Sequence, residues 1–554
     1  MTDASLIIEN ARLITMDPAR PFAEALAIAG SRILGVGTRA EMAALAGPGT
    51  RRFDAQGGTV LPGLVEAHLH LFPGAFGMRL VQLEGVRGAD ELRARLIPYA
   101  EANPDEALLI CKGADYPLFG DGVMTTRQML DDVLADRPLL LIAGDHHTAW
   151  ANSIALERAG LMQGRALSPG NEVVMAEDGT AAGELREHEA FDPVMALRSS
   201  GGRENLGLAG VEPDASLTAA ERQADRDVLL EGLKYCASFG FTTLHNMDGN
   251  RYQLELLRDL ENDGQLLCRT EIPFHLTPTK PLEALGDAVD WHKTFQSDRL
   301  KSARVKMFMD GVIDSGTAAM IEDYADQPGW RGEPLHDAER FNAAATIIDA
   351  AGLQISVHAI GDEAIRRVLN GYAAAEAANG KRDSRHRVEH IEILDPGDLQ
   401  RCVDLGIIAS VQPPHPPGAM DFPLLPWIDR VGETRLPWAF PVQYLRDAGV
   451  ALAFASDWPV SDVNPMRGVK AAITRQPWVE GHPSHASTLM EALHGYSAGG
   501  AYAGHDEHRL GCLKPGMLAD IVVMDHDLEA LPVDELDKPR AALTLCDGEV
   551  TWEA

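Results

Sequence analysis

Along roughly the first sixty residues, apolar and polar positions alternate in short bursts: SLIIEN, ARLITM, EALAIAG, SRILGVG and RRFDAQGGTVLPG, punctuated by Gly and Asp. A period of two predicts half-buried β-strands joined by tight turns. The C-terminal stretch returns to this style with GMLADIVVMD and AALTLCDGEVTW. The two ends are therefore expected to pair into one small composite β-sandwich domain, residues 1–62 and 510–554, with two unrelated β segments as the alternative. Between them strand-like and helix-like segments alternate. The strand candidates are TVLPGLVEAHLH, FGFTTLHNMD, CRTEIPFHLT, ARVKMFMDG, LQISVHAIGD, HRVEHIEIL, IIASVQPPH and ALAFASDWP, most followed by a helical run such as DEAIRRVLNGYAAAEAA. Eight such βα units predict an α/β fold, a TIM (β/α)8 barrel over residues 63–71 and 221–509, with its chemistry at the carboxyl ends of the strands. The gap after the first strand is too long for one helix. It holds helix-like ADELRARLIPYAEA and WANSIALERAG beside strand-like EALLICKGADY and PLLLIAGDHHT, so residues 72–220 are expected to form an inserted α/β subdomain at the barrel mouth.

Composition narrows the function. The 554 residues carry 49 Lys and Arg against 82 Asp and Glu, a formal charge of −33, which repels phosphate backbones and argues against nucleic-acid binding. No apolar run is long enough to span a bilayer, so no membrane partner is expected. The opening MTDASLIIENARLITMD reads as strand, turn and strand rather than as a leader. The six cysteines are scattered with no Cys-x-x-Cys pair, as in a reduced, cytoplasmic protein.

The strongest local chemistry is VEAHLH. Residues two apart on a strand share a face, so His68 and His70 can present two imidazoles to one point, as a metal requires. His358 in SVHAIGDEA, His390 in VEHIE and Asp457 in FASDWPV fall near the ends of three other predicted strands. Taken singly, each histidine could be a hydrogen-bonded core residue and Asp457 a helix cap; ligand types on strand ends 1, 5, 6 and 8 together point to a metal site. Lys306, in VKMFMDG on the fourth strand, has two readings: an ion pair with Asp310, or a lysine of lowered pKa able to take up carbon dioxide as a carbamate. His245 and His415 also end predicted strands and are candidates for substrate contact or for supporting the ligands. His482, His485, His505 and His508 lie in loop-like segments and are expected to be solvated.

Taken in order, VLPGLVEAHLH, VKMFMDG, VHAIGDEA, VEHIE, IIASVQPPH, FASDWP and LKPGMLADIVVMD resemble the amidohydrolase superfamily, more closely its amidohydrolase-3 branch, which contains N-substituted formamide deformylase. The resemblance runs through nearly the whole chain. It implies a composite β domain and a distorted TIM barrel, with His68 and His70 on one divalent metal, zinc by preference, His358 and His390 on a second, carbamylated Lys306 bridging, and Asp457 between metal and reacting water. It also implies a substrate-facing Asp145-x-His147 in GDHHTAW and a mouth-facing Glu184 in GTAAGELRE, and it brings the expectation of a homodimer.

The reaction expected is hydrolysis of a non-peptide, amide-like C–N bond in a small molecule. Asp457 would act as general base and then acid, with His147 or His245 assisting at the oxyanion. Deamination or ester hydrolysis at the same site, and a non-catalytic metal- or ligand-binding barrel, are the alternatives. Phe72, Phe76, Tyr116, Phe119, Trp150, Phe422, Trp427 and Trp458 are candidates to line an aromatic substrate pocket, Trp458 as a direct contact.

Overall fold

A computed structural model describes residues 3–120, 122–143, 148–167, 171–418 and 420–554, apart from the side chain at position 188. The chain divides into two compact units, residues 1–74, 207–216 and 222–554 in the first and 75–206 with 217–221 in the second.

In the first unit, strands from both ends of the chain share a sheet. Thr59–Pro62 runs antiparallel to Ile521–Met524, with Val60 opposite Val523, and the sheet continues through Ala541–Cys546 and Glu549–Glu553 on one side and Arg12–Ile14 and Phe22–Ala23 on the other. A four-stranded sheet of Arg32–Gly37, Ala25–Ala29, Ala4–Glu9 and Ala46–Asp54 lies against it, and Ile8, Ile28, Val60, Val523 and Leu545 belong to one buried core.

The α/β part of this unit is a parallel array. Leu64–Leu69 pairs with Phe241–Asn246, which pairs with Arg269–Glu271. After Pro273 the chain resumes as Phe274–His275 beside Arg304–Phe308, followed in turn by Gln354–Ala359, Arg387–His390, Ile408–Val411 and Ala451–Phe454. The last strand returns to the first. The Asp457 amide donates to the His68 carbonyl at 2.8 Å and the His70 amide to the Trp458 carbonyl at 2.7 Å. Helices such as Arg251–Asn262, Ala338–Ala350, Asp362–Asn379 and Val442–Ala448 connect the strands.

The strands alternate in character. Val305, Met307, Ile355, Val357 and Val388 are buried, and each such side chain contributes about 1.5–3 kcal/mol by leaving water. Between them Arg304, Lys306, Ser356, His358, Arg387 and Glu389 occupy the other face, and these too are buried. A buried polar face is tolerated only when its groups are paired, and Arg304 with Glu271 (2.9 Å) and Arg387 with Glu389 (2.8 Å) are.

Two predicted strands are split. TVLPGLVEAHLH is two strands hinged at Gly63, one for each kind of sheet, and a Cβ at Gly63 would come within 2.3 Å of Thr242 Oγ1. CRTEIPFHLT breaks at Pro273, which has no N–H to continue the ladder.

The second unit is built on a mixed sheet ordered Glu172–Met175, Ala181–Arg186, Thr148–Ala151, Leu139–Ala143, Leu109–Ala114 and Val81–Gln82. Leu109, Cys111, Leu139 and Leu141 enter one apolar cluster, while Ile110, Leu140, Ile142 and Ala149 enter another, as the period of a sheet buried on both faces requires. Among the described residues no helix is long and apolar enough to cross a membrane.

Candidate active site

The polar face of the parallel array ends in a cluster of imidazoles around one carboxylate. His68 lies on Leu64–Leu69 with His70 just beyond it. His358 lies on Gln354–Ala359, His390 closes Arg387–His390, and Asp457 follows Ala451–Phe454. Asp457 Oδ1 is 3.3 Å from Nε2 of both His68 and His70. Ring centroids are 4.9 Å apart for His68 and His390 and 4.6 Å for His358 and His390. Ligand atoms of His68, His390 and Asp457 all lie within 4.8 Å of one another. The backbone is bent to achieve this. Consecutive strand residues normally face opposite ways, yet His390, Ile391 and Asp457 have φ of 76°, 49° and 61°, a left-handed region costly for non-glycine residues and concentrated at functional sites.

Three of the imidazoles are oriented through their other nitrogen. His68 Nδ1 is 2.7 Å from Glu389 Oε2, His390 Nδ1 is 2.9 Å from Gln412 Oε1, and His358 Nε2 is 3.0 Å from the Gly311 carbonyl. These bonds leave His68 Nε2, His390 Nε2 and His358 Nδ1 as the remaining nitrogens. Glu389 is fixed in turn by Arg387 and by the Ser356 hydroxyl. Such partners fix tautomer and ring plane wherever histidines bind metals.

The electrostatics call for a cation. Burial would raise the Asp457 carboxyl, but His68, His70 and His390 hold it well below the usual carboxylate range. Burial also opposes charge on His70, yet Asp248 and Asp457 outweigh it and raise His70 to about 9. His68 is driven down to about 4 and His358 to about 3, chiefly by burial, so both are neutral and able to donate lone pairs. Asp457 Oδ1 and Lys306 Nζ are buried without a hydrogen bond, although His68 and His70 lie near the former. The neutral imidazoles of His68 and His390 beside an ionised carboxylate fit a divalent metal.

Several expectations are corrected. Lys306 makes no ion pair with Asp310, whose carboxylate instead accepts the backbone amides of Ala319, Ile360 and Gly361. Lys306 is fully buried, its Nζ lies 4.6 Å from the Phe308 ring centroid, and burial lowers it to about 8 against the pull of Glu389 and Asp457. His245 is not brought to the cluster. Its Nδ1 lies 3.2 Å from Arg387 Nη1, and its Nε2 faces Gly504, where a Cβ would come within 2.7 Å. Burial and the cations Arg304, Arg387 and Lys301 hold it well below the ordinary imidazole range. His415 does arrive, with Nε2 4.0 Å from Asp457 Oδ2.

Trp458 packs on Gly74 and at 5.7 Å from Tyr235, and Trp427 stacks among Phe440 and Trp478, so both fill the core instead of lining a pocket. Trp150 and Phe72 are likewise buried, as large aromatics with much area to remove from water usually are. Phe422 packs edge-on against His415 at 5.0 Å. His485 is not solvated but 2% exposed, its Nε2 bonded to the Pro437 carbonyl. In the second unit Glu184 accepts from Arg186 Nε at 2.7 Å. Asp145 and His147 lie outside the described residues.

The sequence reading missed Glu389, Gln412, Asp248 and Arg387. Glu389 and Gln412 sit inside motifs already marked, VEHIE and IIASVQPPH, and the acid beside His390 was the available signal. Asp248, 3.4 Å from His70 Nδ1, closes the predicted strand FGFTTLHNMD, and that position at a strand's carboxyl end was its signal.

Fold and cluster together define a metal-dependent hydrolase. Residues 51–552 match the amidohydrolase family. The chain is 31% identical to the protein LONG AFTER FAR-RED 3 of Arabidopsis thaliana over 544 residues, 94% of this chain and 87% of that protein. It is 27% identical to the N-substituted formamide deformylase of Arthrobacter pascens, covering 99% and 98% of the two chains. The crystal structure of an uncharacterized metal-dependent hydrolase from Pyrococcus furiosus superposes with a TM-score of 0.74 at 25% identity, covering 94% of this chain and 99% of that one. The chain belongs to the amidohydrolase family and is an enzyme hydrolysing C–N bonds other than peptide bonds.

Proposed function

We propose that the protein cleaves an amide-like C–N bond in a small organic molecule at a centre where His68, His70, His358, His390, Asp457 and Lys306 as its carbamate would hold one or two divalent ions. The observation that carries this reading is the Asp457 carboxylate, buried, ionised and unsatisfied, 3.3 Å from Nε2 of both His68 and His70. Imidazole and carboxylate donors suit zinc. With burial lowering Lys306 to about 8, more of it is neutral amine near neutral pH than of an ordinary lysine, and neutral amine is the form that adds to carbon dioxide. The same reading takes the parallel array as a distorted (β/α)8 barrel over residues 63–71 and 221–509, the terminal sheets as a composite β-sandwich of residues 1–62 and 510–554, and residues 72–220 as an inserted subdomain. The hydrogen bonds that tie Asp457 and Trp458 back to His68 and His70 support the closed barrel.

A divalent ion held there would supply Lewis acidity toward a carbonyl oxygen and toward water. Asp457 takes a proton from the attacking water and later gives it to the departing nitrogen. Glu389 and Gln412 keep His68 and His390 in the tautomer that donates. His415, whose Nε2 has no hydrogen-bond partner, faces Asp457 and takes the role of substrate contact. Asp145, His147 and Glu184 are assigned to the substrate through the family resemblance alone. Burial of the cluster excludes bulk water and sharpens each of these interactions.

The test is elemental analysis of purified protein, followed by turnover of metal-loaded enzyme on panels of N-substituted amides, esters and aminopurines. Hydrolysis confined to the amide panel is expected. Asp457→Asn should keep the fold and bound metal while losing about 10²–10⁴-fold in kcat. Near-normal turnover by that variant would overturn the assignment.

A further inference from the structure

Beside the cluster, a small cavity of about 20 Å³ is walled by His390, Gln412, Arg475, His485 and Ser487 together with apolar side chains that include Phe440 and Phe454. A space of this size holds one or two water-sized groups. Its polar wall is incompletely used. Arg475 is 7% exposed, yet among the described residues no carboxylate pairs with it. Its Nη1 and Nη2 donate to the carbonyls of Phe440 (2.8 Å) and Ala439 (2.9 Å), its guanidinium lies 5.4 Å and 5.1 Å from the Phe440 and Trp478 ring centroids, and its Nε–H has no partner. Gln412 spends its Oε1 on His390 and leaves its Nε2 donor unbonded, while His485 donates Nε2–H to Pro437 and keeps Nδ1 as an unbonded acceptor. A buried guanidinium without a counter-ion is expensive, and the unsatisfied Arg475 Nε–H and Gln412 amide add to the cost.

We propose that this cavity is a site for a small monovalent anion, either a free ion of chloride size or a carboxylate carried by a substrate, received by Arg475 Nε–H and the Gln412 amide. Desolvation lowers Arg475 to about 9, so the guanidinium stays charged at neutral pH, and no acid among the described residues balances it. A hydrogen-bonded anion is the neutral solution to that imbalance, whereas water would satisfy the donors and leave the charge. Because Gln412 also holds His390, occupation of the cavity would be coupled to the orientation of a metal-ligand candidate. The site stands on the cavity and its orphaned donors, and holds whether or not the metal centre and amide substrate proposed above are the right ones.

The test is bromide. Crystals of the wild-type protein soaked in sodium bromide should show an anomalous peak within hydrogen-bonding distance of Arg475 Nε and Gln412 Nε2. Bromide added in gluconate buffer should alter Trp478 fluorescence saturably, with affinity at least about tenfold weaker in Arg475→Met, which loses a charge-assisted bond. Competition identifies the source. Displacement by chloride but not by acetate or N-formylglycine assigns a free ion, and displacement by the carboxylates assigns a substrate group. A cavity holding only water in the soaked crystal, or a wild-type response no different from that of Arg475→Met, overturns the proposal. If Arg475→Met does not fold, the diffraction result on the wild type decides alone.

Discussion

Glu389→Gln isolates the role of a residue that touches neither substrate nor metal. The carboxylate accepts from four donors: His68 Nδ1 at 2.7 Å and Arg387 Nη2 at 3.0 Å on Oε2, Arg387 Nε at 2.8 Å and the Ser356 hydroxyl on Oε1. Glutamine keeps the shape but supplies one oxygen. Whichever way its amide turns, an NH2 group meets two donors, so two bonds are lost, at least one of them to Arg387. At about 1.5–3 kcal/mol for a bond to a charged group, the loss is about 3–6 kcal/mol, similar to the roughly 3–5 kcal/mol for breaking a buried ion pair by removing one partner. Because His68 is held by the same oxygen, metal affinity should fall about 10–100-fold. Thermal melting in excess chelator reads the first effect, and competition with a calibrated chelator reads the second. A variant with wild-type melting temperature and metal affinity within twofold would refute the claim that Glu389 organises the cluster.

Lys306→Ala should lose metal and activity, with partial recovery on adding short carboxylic acids that can enter the space left by the side chain; unchanged metal content by elemental analysis would remove Lys306 from the centre. Burial works against an ionised Asp349, but His386 at 3.2 Å, Asn379 at 2.9 Å and Arg382 at 2.6 Å hold it below the ordinary carboxylate range. The folded state therefore binds this proton less readily than the unfolded chain, and the stability it contributes is complete above about pH 4 and lost as pH falls below it. Asp349→Asn should flatten the acid limb of the melting-temperature profile, and an unaltered limb would count against this pairing.

The members of the cluster were readable because strand periodicity places residues two apart on one face, as with His68 and His70. The βα alternation was readable for the same reason, through Val305, Ile355 and Val388. Junctions were less so: nothing in the run TVLPGLVEAHLH marks Gly63 as the point where one sheet is exchanged for another, since the hydrophobic pattern continues across it. Partners that act through space, such as Arg387 on Glu389, belong to contacts that have no local signature. Trp458 misled because an aromatic next to a catalytic-type aspartate looks like a pocket wall, while the bend at Asp457 turns it toward Gly74 and Tyr235. His485 misled because its polar, proline-containing segment reads as surface.

The strand Thr59–Pro62 waits for its neighbour. Its partner Ile521–Met524 lies near the far end of the chain, and the Leu528 amide reaches Thr59 Oγ1 across 469 positions. At about 5–20 residues per second of synthesis, roughly 25–95 s separate the emergence of the two. Throughout that interval Val60 and Leu61 lack their partner strand, and an apolar unpaired edge is open to association with other chains until Ile521–Met524 is made.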